Sequence, residues 1–134
     1  MTDWTQVHPT RPMQAPGGRT IDIDVEMVPL VAELWRLGYT TNLACQDAGE
    51  AVLGGGTRTP EPERPAAAAR NIGRAWLIVR AEEGPRLLEA WRPLRDSGRW
   101  ILHPAAKDEP SGPWASLTFP RDRITDAAEL LRRL

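Results

Sequence analysis

Cys45 is the only cysteine in a chain of 134 residues, and Gln46, Asp47 and Glu50 stand close behind it. A thiol becomes a nucleophile when a positive charge, a histidine or free backbone N–H groups lower its pKa. Two histidines are available, His8 near the N-terminus and His103 at the end of the run "RWILH". Of these, His103 alone falls within an expected element. If the strands bearing Cys45 and His103 end on one edge, Cys45 is a candidate nucleophile and His103 its base. Asp47 or Asp108 would then orient the imidazole.

The same residues allow readings without chemistry. A buried lone cysteine is commonly a small apolar filler, and a histidine at a strand end commonly bonds a carbonyl. Asp47 can simply close a turn with its side chain. Cys45, His103, Asp47 and Glu50 could meet as a mixed metal site, but the ligand spacing of structural zinc sites is absent, so neither metal nor cofactor is expected. A binding site without catalysis would draw on Gln46, Glu50, Arg80, Trp76 and Trp100 around Cys45 and Asp47. Ligand sites collect where strands run out into loops.

Those residues must be held by elements that the pattern of apolar positions marks out. Residues 1–20 carry Pro9, Pro12, Pro16, Gly17 and Gly18 without periodicity and read as an irregular arm. From Asp24 onward, Met27, Leu30, Val31, Leu34 and Leu37 recur at spacings of three and four, which predicts an amphipathic helix ended by Gly38. Asp22 or Asp24 would cap it. A short strand follows over Tyr39 to Ala44, and Cys45 leads out of it. Residues from about 48 to 72 read as a low-complexity loop, rich in Gly, Pro and Ala, with room for a short helix over Pro65 to Arg70.

Ala75 to Ala81 is the clearest strand. Trp76, Ile78 and Arg80 would share one face and Leu77 and Val79 the other, and apolar residues on both faces predict a central position. A helix starts near Pro85, carries Leu87, Leu88, Trp91 and Leu94, is shortened by Pro93 and ends before Gly98. Arg99 to His103 and Trp114 to Phe119 predict two strands of a hairpin joined by a polar turn. The last residues, "RDRITDAAELLRRL", predict an amphipathic helix with Ile124, Ala127, Ala128, Leu131 and Leu134 toward the core. The order α-β-β-α-β-β-α predicts an α+β domain over residues 21–134. Its architecture would be one four-stranded, mostly antiparallel sheet with helices on one face, a permuted ferredoxin-like arrangement.

The stretch "IDIDVEMVPLVAELWRLGYTTNLACQD", followed by "AWLIVRA" and "SGPWASLTF", resembles a group of short uncharacterised actinobacterial and phage proteins. In that group an acidic start leads into a "PLV…LW" helix, a "G-I/Y-x-T-x-x-S-C" turn with Gln or Glu after the cysteine, and a closing "GP-x-W" strand. The resemblance covers Ile21 to Phe119 and implies the same architecture. Ala44 stands where the group has Ser, and the segment Asp47 to Asn71 departs from the group's glycine-rich one.

Composition bounds the function. The length suits one domain, apolar residues make up 41% and charged residues 26%, and no apolar run is long enough to span a bilayer. With a net charge of −1 the chain exerts no long-range pull on a phosphate backbone, so nucleic acid is not the expected partner. No signal-peptide pattern opens the sequence, and a single cysteine suits a reducing compartment, which predicts a cytoplasmic location. The six tryptophans, Trp4, Trp35, Trp76, Trp91, Trp100 and Trp114, read mostly as core residues with a partnered indole N–H. Three functions stay open: a small domain that binds a small molecule or protein near Cys45-Gln46-Asp47, a cysteine-dependent enzyme acting on a small metabolite, and an interaction or inhibitor protein of phage type. The last would form a homodimer or block a partner through a Trp-rich face.

Overall fold

The computed structural model of the chain describes residues 7–55, 57, 59–95, 99–103 and 113–134. Trp4, Gly98, Asp108 and the turn over 104–112 lie outside the described residues.

Residues 1–6 of the expected irregular arm lie outside the described residues, and from Thr10 on the arm is corrected by a hairpin. Thr10–Gln14 (β1) pairs antiparallel with Thr20–Asp24 (β2), from Thr10 opposite Asp24 to Gln14 opposite Thr20. The residues that argue against order sit where a two-stranded ribbon tolerates them. Pro12 lies in a strand with only one partner, and Gly18 takes φ +89° in the connecting turn.

After a short 3₁₀ turn, Val25–Met27, comes α1, Val28–Arg36. Pro29 lies in its first turn, where a backbone donor is not needed, and Met27, Leu30, Val31 and Leu34 form a fully buried stripe. Gly38, with φ +89°, turns the chain out of the helix. Neither Asp22 nor Asp24 caps this helix; Asp24 is turned to other partners. The next strand, β3, is Thr41–Cys45.

The segment expected to be a low-complexity loop with a short helix over Pro65 to Arg70 holds two packed helices, α2 (Ala48–Leu53), which was not expected, and α3 (Arg64–Asn71), which spans the expected one. Asp47 caps α2, its carboxylate accepting from Glu50 N at 3.0 Å. Small side chains are what let the pair approach. A Cβ on Gly49 would collide with the backbone N and Cα of Ile72 and sit 2.8 Å from Ala68 O. Val52, Ala67 and Ala68 form a small apolar cluster of their own.

Then follow β4 (Arg74–Arg80), α4 (Glu83–Ala90), β5 (Ile101–His103), β6 (Trp114–Pro120) and α5 (Ile124–Arg132). Pro93 converts the end of α4 into a 3₁₀ turn, as its missing N–H requires. In α5, Ile124, Ala127, Ala128 and Leu131 are buried; Leu134, expected in the same stripe, lies past the helix end and is 66% exposed.

The four-stranded sheet has the order β3-β4-β6-β5, and every neighbouring pair is antiparallel. This is the α+β architecture and neighbour order that the sequence predicts, with the β1–β2 hairpin and the α2–α3 pair added. Ala75, Leu77 and Val79 of β4 and Ala115, Leu117 and Phe119 of β6 line the face covered by α1, α4 and α5. Each large aliphatic side chain buried there contributes about 1.5–3 kcal/mol. Trp91 is fully buried, and its indole N–H donates to Ala127 O at 3.1 Å, which ties α4 to α5. Among the described residues no helix is long and apolar enough to cross a membrane.

Candidate functional site

Cys45 closes β3, an edge strand of the sheet, and pairs with Trp76 of β4. Pairing puts Cys45, Trp76, Leu43 and Ile78 on the sheet face opposite the helical core. Beyond Cys45 the chain is tied to the end of β2: Gln46 N donates to Asp24 Oδ2 at 2.9 Å, and Glu26 N donates to Gln46 Oε1 at 3.1 Å. From this junction β2 and β3 bound a cavity of about 310 Å³. Ile21, Leu43 and Trp76 supply apolar wall, Arg19, Asp22 and Asn42 supply polar groups, and Asp24, Cys45 and Ala51 also line it. Trp76 is held by its indole N–H, which donates to Ser116 Oγ at 2.8 Å.

The expected pairing of Cys45 with His103 is corrected. His103 is on β5, the opposite edge of the sheet, so three inter-strand steps of about 4.8 Å, roughly 14 Å in all, separate the two strands. His103 is also exposed. The histidine beside the cysteine is His8, which the sequence assigns to an irregular arm. It is 7% exposed, and its Nδ1 lies 3.0 Å from Asp24 Oδ2. One ligand atom from each of His8, Asp24 and Cys45 lies within 4.8 Å of the others.

Cys45 is not an activated thiol. Burial, with the Asp24 and Asp47 charges adding to it, pushes its pKa up to about 12. The Arg121 guanidinium in this region is taken by other carboxylates. Arg121 Nη1 donates to Asp47 Oδ2 at 3.2 Å and to Glu50 Oε2 at 3.0 Å, while Nε and Nη2 bind both oxygens of Glu26. The fork geometry of arginine suits this bidentate grip. It lowers the Glu26 pKa and raises that of Arg121.

Asp47, expected to orient a catalytic imidazole, instead caps α2 and accepts from Gly73 N at 3.0 Å. Of the expected ligand-binding residues, Trp76 alone lines the cavity. Gln46 is spent on Glu26, with its Nε2 donating to Glu26 Oε2 at 3.2 Å, and Glu50 belongs to the Arg121 cluster. Arg80 lies at the far end of β4, with its guanidinium 5.4 Å from the Trp114 ring centroid. Trp100 is a core residue, stacked on Phe119 at 4.9 Å between centroids.

Sequence reasoning missed His8, Asp24, Glu26 and Arg121. Asp24 reads there as a helix cap, and no spacing rule links residue 8 or residue 121 to Cys45. The one signal for this region is the acidic density of the stretch from Asp22 to Glu26. Comparison of the chain with protein-family models, with curated proteins and with solved structures finds no match.

Proposed function

We propose that this protein binds a small organic molecule in the cavity between β2 and β3. The observation that carries this reading is the cavity itself: about 310 Å³, walled by Ile21, Leu43 and Trp76 and bordered by Arg19, Asp22 and Asn42. Ligand sites commonly combine an apolar body with a few fixed polar groups, and this volume lies at the small end of their range. The ligand class that fits has a compact apolar or aromatic body for Trp76 and a polar or anionic group for Arg19 and Asn42. Nucleophilic catalysis is not part of the reading, because the Cys45 thiol is buried and held protonated, and His103 is on the far edge of the sheet.

A panel of small metabolites, titrated against intrinsic tryptophan fluorescence and confirmed by calorimetry, tests it. A ligand should alter emission in the wild type and in Trp114→Phe, and lose its signal in Trp76→Phe. Leu43→Trp, which fills the cavity, should abolish the heat of binding. No signal from any compound, aromatic acids included, by either method would sink the reading.

A further inference from the structure

His8 sits between two carboxylates: Nδ1 faces Asp24 Oδ2 at 3.0 Å, and Nε2 faces Glu50 Oε1 at 3.6 Å. Its side chain is 5% exposed, and Nε2 has no hydrogen-bond partner. An imidazolium would serve both carboxylates, whereas a neutral imidazole carries one N–H and serves only one of them. If the proton is on Nδ1, the bare Nε2 lone pair points toward Glu50. If it is on Nε2, the bare Nδ1 lone pair meets the Asp24 oxygen. The buried Cys45 sulfur lies in the same group of three.

We propose that His8, Asp24 and Cys45 form a binding site for a transition-metal ion of the Zn²⁺ class. For the neutral ring, a metal at Nδ1 takes the lone pairs of both the imidazole and Asp24. It also leaves Nε2–H directed at Glu50, the usual outer partner of a metal-bound histidine. Imidazole, carboxylate and thiolate favour Zn²⁺ over Mg²⁺ or Ca²⁺, which take oxygen ligands.

Charge and protons balance. Cys45 S–H loses its proton to solvent as the metal–sulfur bond forms. The histidine proton stays on the ring, at Nε2. One divalent cation with one carboxylate and one thiolate is then neutral, as a buried group of this kind requires. The ligand atoms lie within 4.8 Å of one another, and tetrahedral Zn²⁺ needs them roughly 3.5 Å apart, so closure takes a movement of about 1 Å. Asp24 and Cys45 both line the cavity, the side from which an ion would reach them.

Cobalt(II) titration of the reduced, chelator-treated full chain tests the site. The expected result is one equivalent bound with a thiolate-to-cobalt charge-transfer band, displaced by Zn²⁺. At least one proton is released per metal, as thiol deprotonation demands. Because Cys45 is the only cysteine, the band reports on it without a variant. His8→Gln should weaken binding by ~100-fold or more, while His103→Ala leaves it unchanged. In wild-type protein the His8 ring protons should show paramagnetic shifts, which keeps the test valid should His8→Gln unfold. A folded wild type without the band, or cobalt bound with no shift at His8, would overturn the proposal. The readout is cobalt absorption, so its failure is separable from failure of the organic ligand to bind.

Discussion

His8 Nδ1 and Asp24 Oδ2 lie 3.0 Å apart, with both side chains 5% exposed. A residue that precedes the first strand is thus locked against the junction of β2 and α1. Beside it, Val25 N donates to Pro9 O at 2.9 Å, a second tie between the same two stretches of chain.

Removing one partner of this pair strands the other. In metal-free protein, Asp24→Ala leaves His8 and the Gln46 N–H without their acceptor and is expected to cost ~3 kcal/mol or more. Asp22→Ala, at an exposed position, is expected to cost under ~0.5 kcal/mol. Urea denaturation of the two variants beside wild type measures the difference.

Alkylation of Cys45 in the metal-free native protein should be slow at neutral pH. Burial pushes the thiol up to about 12, so thiolate is scarce, and the rate should climb about tenfold per pH unit from neutral toward that value. Under denaturant the same thiol should react as a free one, with a pKa near 8.5. A stopped-flow thiol assay across pH distinguishes the two profiles, and fast native reaction at pH 7 would contradict the burial.

The Arg121–Glu26 pair makes a prediction for acid. The Glu26 pKa is lowered, so its contribution is complete above about 4.5, the ordinary value, and is lost as pH falls through the lower folded value. Both side chains are partly exposed, so Glu26→Gln should cost only ~0.5 kcal/mol at pH 7. That cost should vanish at acid pH, which chemical denaturation of wild type and variant at matched pH would reveal.

Gly49→Ala is expected to cost more than ~2 kcal/mol, because the added methyl meets the backbone of Ile72 and not a side chain that could turn aside. Gly17→Ala, with open space around it, should be close to neutral. Thermal unfolding of both variants checks the contrast.

The elements with a regular apolar period were legible from sequence alone. Leu30, Val31 and Leu34 marked α1, Leu77 and Val79 marked β4, and Ala127 and Leu131 marked α5, because each stripe faces one common core. The β1–β2 hairpin was hidden by Pro12 and by the Pro16-Gly17-Gly18 turn, which look alike in a hairpin and in a loose arm. Helix α2 and its packing on α3 were hidden for another reason: the contact is made by Gly49, Ala67 and Ala68, whose smallness reads as low complexity while it serves close packing. The site was legible only in Cys45 and Trp76. Setting His103 aside needed the strand order, which puts β3 and β5 on opposite edges of the sheet.

The grip of Arg121 on Glu26 joins residues 95 positions apart, and its bonds to Glu50 and Asp47 span 71 and 74. Contacts of such separation close late in folding, after local helices and hairpins have formed. Without their guanidinium, Glu26, Asp47 and Glu50 would repel one another. The acidic cluster therefore fastens the stretch around Cys45 to the far end of the chain through a single shared guanidinium.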